Sequence, residues 1–171
     1  MKIYLALCLL FLCTYIPAQE KIITTAEFTI SGQVRQEAKI ALADLSLYEQ
    51  QDIGNLKITY HLGTDKGTAK NMKGVLLKDI LSKVVFQAES PKVLSEFYIT
   101  CMASDGYKAV FSWNELFNTE TGNHVYIVTE KEGVKAADMS ERILLVSVSD
   151  FKTGRRYVKG LERIKIGRVQ K

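Results

Sequence analysis

Cysteine is scarce in this chain of 171 residues: Cys8, Cys13 and Cys101 are the only three. That count fits neither a disulfide scaffold nor a zinc module. Proline is scarcer, with only Pro17 and Pro91, and neither sits in a linker-like tract. No internal repeat and no low-complexity segment occurs. Histidine is limited to His61 and His124, and no nucleophile triad emerges around either. There is no Gly-Lys-Ser/Thr phosphate loop, no zinc ligand set and no carboxylate pair spaced for glycoside hydrolysis. Charge of one sign is also in short supply. The net +4 is too small to argue for nucleic acid, and no nucleic-acid partner is expected.

What is present begins with an apolar stretch. Lys2 precedes Ile3 to Ile16, a run of 14 residues, and Pro17-Ala18 leads into polar Gln19-Glu20-Lys21. The run falls short of the ~20 residues a spanning helix needs. It reads as a secretory signal peptide over 1–18, cleaved after Ala18. The expected product is one domain over residues 19–171, periplasmic or secreted, with no membrane span after cleavage. Cys101 is then its only cysteine, so packing alone must hold it. Removing residues 1–18 takes away Lys2 and no acid, leaving 22 basic residues against 19 acidic.

The basic residues are unevenly spread. From Lys152 to Lys171 there are eight Lys or Arg and one acid, Glu162. Such a patch either binds an anion or forms a solvated strand face. Hydropathy alternates over Glu27–Val34, Leu56–Tyr60, Phe97–Ala103, Tyr107–Phe111 and Tyr157–Val169, predicting strands. Val125–Glu130 and Ile143–Val148 are β-branched strands. Asp105-Gly106 predicts a two-residue hairpin turn. Gly63–Gly67 predicts a turn, and Glu132-Gly133 another. Asp44–Glu49 predicts a short helix, and Val75–Val84 carries apolar residues at helical spacing. Ser112-Trp113-Asn114-Glu115 fits a capping box opening a helix through Phe117. Many strands with few short helices, not in strict βαβ order, predict an α+β fold with a mixed β-sheet.

Three pieces of this pattern are distinctive in order: Gly74-Val75-Leu76-Leu77-Lys78-Asp79-Ile80-Leu81, then Ser104-Asp105-Gly106-Tyr107, then Gly154-Arg155-Arg156-Tyr157-Val158-Lys159-Gly160-Leu161-Glu162-Arg163-Ile164. From about Phe28 to Val169 the chain resembles the molybdopterin-binding domain of the sulfite oxidase family. The resemblance implies an anion-binding edge, since the closing motif of that family lies near the cofactor's terminal phosphate. Position by position, Gly154, Arg155, Arg156 and Lys159 carry over. Arginine offers bidentate donors to phosphate or carboxylate, and lysine adds a point charge. His61, Lys66, Asp105 and Tyr107 would border the same cleft. The other reading of Arg155 and Arg156 is a surface pairing with Asp150 or Glu162.

The resemblance also implies a cysteine thiolate on the molybdenum, between a strand and the Gly74–Leu81 segment. Residues 56–73 contain no cysteine. His61 stands near the expected place and reads as an ordinary polar residue at a strand end. Cys101 lies on a later strand and reads as a small buried hydrophobe. Family members that carry this cofactor out of the cytoplasm leave folded by the twin-arginine route, whereas this leader has Lys2 and no arginine. The expectation is therefore an exported, non-catalytic domain with no metal ligands and no cofactor, binding an anionic small molecule or an exported protein partner. The alternatives are a molybdopterin-dependent oxidoreductase with atypical metal ligation and an accessory domain that docks on another exported protein.

Overall fold

The computed structural model describes residues 25–60 and 62–170. The expected leader with its expected cleavage site, and His61, lie outside the described residues. Alternation of buried Phe28 and Ile30 makes β1 (Glu27–Gly32), which pairs antiparallel with the edge strand β2 (Ala38–Ala41). The helix expected near Asp44 is a 3-10 helix, Leu42–Leu47. A long hairpin follows, β3 (Gln51–Thr59) and β4 (Asp65–Leu76), leading into the five-residue helix α1 (Leu77–Leu81).

Two expectations are corrected here. The predicted turn at 63–67 shrinks, because β4 already begins at Asp65. Residues 65–68 are exposed, so this end of the hairpin has no buried face to alternate and reads as a loop. The helix predicted over 75–84 keeps only Leu77–Leu81. Val75 and Leu76 are strand residues opposite Ile127 and Tyr126. Short apolar runs do not separate a buried strand end from a buried helix start.

The chain continues through a 3-10 turn, Pro91–Glu96, to β5 (Phe97–Ala103) and β6 (Lys108–Ser112). Their connection spans Ser104–Tyr107, not two residues. Gly106 donates to the Ala103 carbonyl at 3.0 Å, and Ala103 donates to the Tyr107 carbonyl at 2.9 Å. Gly106 has φ of 86°, the left-handed conformation that a turn followed by a glycine bulge requires. The capping box forms: Glu115 donates to Ser112 Oγ at 3.1 Å, and the Ser112 amide donates to Glu115 Oε2 at 2.7 Å. It opens α2 (Trp113–Phe117). Then come β7 (Val125–Lys131), β8 (Val134–Lys135), β9 (Leu144–Ser147), β10 (Tyr157–Lys159) and β11 (Leu161–Arg168).

The strands form two sheets. One has the order β2-β1-β11-β5-β6, mixed because β1 and β11 run parallel. The other has the order β10-β9-β7-β4-β3, with β8 beside β7, and its pairs are antiparallel. The architecture is α+β, as the patterning predicts. A core of Ile30, Ile99, Cys101, Ile127, Leu145 and Ile164 is shared between the sheets. Alternate residues of the second sheet, including Met72, Tyr126, Val128 and Val146, form a separate cluster on its other face. The closing segment divides between the sheets, β10 going to one and β11 to the other. Among the described residues no helix is long and apolar enough to cross a membrane.

Candidate functional site

The 3-10 turn Thr153–Arg156 is where the closing motif meets the second sheet. Buried Thr153 anchors it. Its hydroxyl donates to the Lys57 carbonyl at 2.7 Å and accepts from the Thr59 amide at 3.0 Å. The turn is thereby hydrogen-bonded to edge strand β3 and leads directly into β10 at the opposite edge. The sheet curls until this turn bridges its two margins. Gly154 permits the approach: a Cβ there would lie 2.9 Å from Tyr60 Cδ1 and 3.1 Å from the Thr59 carbonyl oxygen. The closing-motif glycine is thus occupied by Tyr60 and β3. From the other side, the Tyr107 hydroxyl donates to the Arg155 carbonyl at 2.6 Å, tying the β5–β6 hairpin to the turn. Asp105 Oδ1 accepts from the Tyr107 amide at 2.9 Å and shapes that hairpin.

These contacts enclose a cleft of about 780 Å³ on the concave face of the curled sheet. The structure brings Asp105, Tyr107, Gly154, Arg155, Lys159 and Lys66 together in its lining. Three of these are cations. Lys66 Nζ lies 5.0 Å from the Tyr60 ring centroid, and Lys159 Nζ lies 5.9 Å from that of Tyr157. Among the described residues no carboxylate pairs with Lys66, Arg155 or Lys159. Neither Arg155 nor Arg156 pairs with Glu162.

Arg156 goes elsewhere. Its guanidinium grips Asp150 in a fork, Nε to Oδ2 at 2.7 Å and Nη2 to Oδ1 at 2.6 Å. Nη1 reaches Glu115 at 3.0 Å, and the guanidinium carbon stands 4.4 Å from the Phe111 ring centroid. These partners hold its pKa above the ordinary value, the Asp150 hydrogen bonds first, against the effect of burial. The structure therefore separates Arg156 from the cleft that Arg155 lines. Burial raises the Glu115 carboxyl, but bonds from Ser112 and Arg156 outweigh it, and the net shift is downward.

Several cleft or anchoring residues escaped the sequence reading, Lys131, Glu132, Glu141, Tyr157 and Thr153 among them. Lys131 and Glu141 form an ion pair of 2.5 Å in the cleft wall, both largely shielded. Burial raises the Glu141 carboxyl, yet hydrogen bonds from Lys131 and Ser140 bring it below its ordinary value. Tyr157 is pushed up to about 12 by burial, then by the charges of Glu141 and Glu132. Its place in the closing motif was a signal that alternation alone did not convey. Thr153 and Glu141 sit in irregular segments where no spacing rule applies.

Cys101 faces the inter-sheet core with no exposed surface, and burial pushes its thiol up to about 12 despite the opposing charge of Arg156. The backbone carbonyl of His124 accepts from Val148 at 2.9 Å at the start of β7. Among the described residues no group of three or more His, Cys, Asp or Glu is placed to hold a metal. The cleft's donors are lysine, arginine, tyrosine and carboxylate, all hard or cationic, with no thiolate. This set does not fit a cysteine-ligated molybdenum.

No family model matches the chain, and no curated protein matches it. Among solved structures, the fold is similar to the sulfane dehydrogenase SoxCD from Paracoccus pantotrophus, with a TM-score of 0.58 and 15% identity. The match covers 85% of this chain and 40% of that one, so this chain spans about two fifths of the protein it resembles. At this identity the likeness is one of fold.

Proposed function

We propose that this chain is an exported, sulfite oxidase-like domain that works as a non-catalytic binding module for a small anion. The observation that carries the proposal is the convergence of Lys66, Arg155 and Lys159 on one cleft without carboxylate partners. Cations without an ion-pair partner, in a cleft lined by four cations against three carboxylates, attract a phosphate or carboxylate, and Arg155 can meet it with two parallel donors. The fold likeness supports the domain type. The missing thiolate supports a binding role over redox chemistry.

The test is calorimetric titration of the mature protein with phosphate, pyrophosphate and citrate at low and high salt. Binding is expected to weaken as salt rises. Arg155→Ala or Lys66→Ala should each weaken it about 5- to 30-fold, the size of a charge-assisted contact. No binding across the panel, or full binding by both variants, would overturn the proposal.

A second reading, docking on another exported protein, has its own observation. Phe151 is 99% exposed and Leu62 81% exposed. They belong to adjoining segments: a Cβ at Gly63 would lie 3.3 Å from Lys152 Nζ. Two bare apolar side chains beside a basic rim suit a partner surface. Loss of a specific co-purifying protein in a Leu62→Ser, Phe151→Ser double variant that still binds anions would favour this reading. A molybdopterin-dependent oxidoreductase with atypical ligation draws only on the fold likeness, and the donor set of the cleft speaks against it.

A further inference from the structure

Two apolar side chains stand in neighbouring turns and contribute almost nothing to the core. Leu62 lies in the turn between β3 and β4. That turn closes as the Gly63 amide donates to the Tyr60 carbonyl at 2.8 Å and the Tyr60 amide to the Thr64 carbonyl at 3.0 Å. Phe151, 99% exposed, lies between β9 and the Thr153–Arg156 turn. The Thr153 hydroxyl fastens the two segments through Lys57 and Thr59, and Lys152 Nζ reaches the Gly63 backbone. Leu62, Phe151 and the Lys152 ammonium therefore share one tip. Tyr60, exposed at its base, carries Lys66 over its ring at 5.0 Å.

The charge around the tip is accounted for residue by residue. Lys57 pairs with Asp65 at 3.1 Å, and Arg156 with Asp150 and Glu115. Among the described residues, Lys66, Lys152 and Arg155 have no carboxylate partner. Against these three stands Asp105, on the hairpin that Tyr107 ties to the turn. The cations left over thus outnumber the acid. Apolar points among cations, with a tyrosine at their base, match a membrane interface, where apolar burial and attraction to anionic lipid add. A protein partner would need a hollow shaped to each side chain, whereas a fluid bilayer takes both without one. We propose that this tip docks on an anionic lipid bilayer, with Phe151 and Leu62 entering the headgroup region and Lys152 meeting lipid phosphates. The tip of the second reading above thereby receives a lipid occupant in place of a protein.

Co-sedimentation of the mature protein with phosphatidylcholine vesicles, with and without phosphatidylglycerol, tests this. Phosphatidylglycerol should raise the affinity at least about fivefold, the gain from one cation near an anionic surface. Phe151→Ser should lower it about tenfold, as for withdrawing one large apolar side chain, and Lys152→Ala about fivefold. Neither residue lines the cleft, so both variants should keep the phosphate affinity of the parent protein in titration. No binding to the mixed vesicles would overturn the proposal and leave the tip to a protein partner. Equal binding by Phe151→Ser and the parent would overturn the placement of the tip. Release of the bound protein by soluble glycerol 1-phosphate would assign the headgroup to the cleft and overturn it likewise. Phe151-dependent vesicle binding by a protein that binds no phosphate would support this docking and overturn the anion reading.

Discussion

Arg155 and Arg156 are adjacent in sequence and differ in what they meet. Arg155 lines the cleft and uses its backbone to hold Tyr107. Arg156 holds Asp150 and Glu115 with 20% of its side chain exposed. Arg155→Ala should change stability little and weaken anion binding. Arg156→Ala leaves two carboxylates without their cation, one of them only 13% exposed, though each keeps a serine donor, and should destabilise by about 1–3 kcal/mol in urea unfolding. Arg156→Lys recovers only part of this, because a lysine cannot reproduce the fork on Asp150. If both alanine variants lost stability equally, the division between the two residues would be wrong. Cys101 and Tyr157 give a prediction in pH. Their ordinary values are 9.0 and 10.0, and the fold holds each protonated to about 12. The unfolded chain ionises first, so their contribution is complete below about pH 9 and lost as pH rises toward 12. The melting temperature should fall across that window, and Cys101→Ala should flatten its lower part. Iodoacetamide should label Cys101 only after unfolding.

At the scale of elements, the turn Thr153–Arg156 does most to shape the cleft. Thr153→Val keeps the bulk of the side chain and removes both hydrogen bonds to β3, leaving the Thr59 amide and Lys57 carbonyl without that partner. The expected loss is about 1–2 kcal/mol in denaturant unfolding, with weaker anion binding because Arg155 moves with the turn. Unchanged affinity in a destabilised variant would mean that the turn does not position Arg155. Little of this element was legible. Phe28 and Ile30, or Ile99 and Cys101, announce strands because one face is buried and the period is two. Ser112 and Glu115 announce a helix start because a capping box is local chemistry. Val75 and Leu76 mislead, since a strand passing into a helix is apolar on both sides of the junction. Asp65 to Thr68 mislead in the opposite sense, being a strand exposed to solvent. Thr153 meets Lys57 across the fold, and nothing near Thr153 in sequence marks that contact. Arg155, Lys159, Asp105 and Tyr107 were brought to one place by the order of motifs. Their separation from Arg156 depends on Asp150 and Glu115, which only the folded chain brings to that guanidinium.

For the whole molecule, the question is whether this fold carries a cofactor at all. A dithiolene-held metal asks the protein for a soft ligand, and residues 19–171 have only Cys101, enclosed between two sheets. To reach the cleft on the far face of the second sheet, that thiol would have to leave a core containing Ile99, Ile127 and Ile164. Moving such residues costs several kcal/mol, a large share of the ~5–15 kcal/mol that holds a domain folded. The proposed export of this chain argues in the same direction, since a chain threaded through a membrane unfolded cannot bring a bound cofactor with it. Protein purified from its own exporting host should therefore begin at Gln19. It should contain no stoichiometric molybdenum or tungsten and give no fluorescent pterin on oxidation. Stoichiometric metal together with pterin would overturn the binding-module reading. It would also direct attention to His61, because Cys101 could not supply the ligand without opening the core.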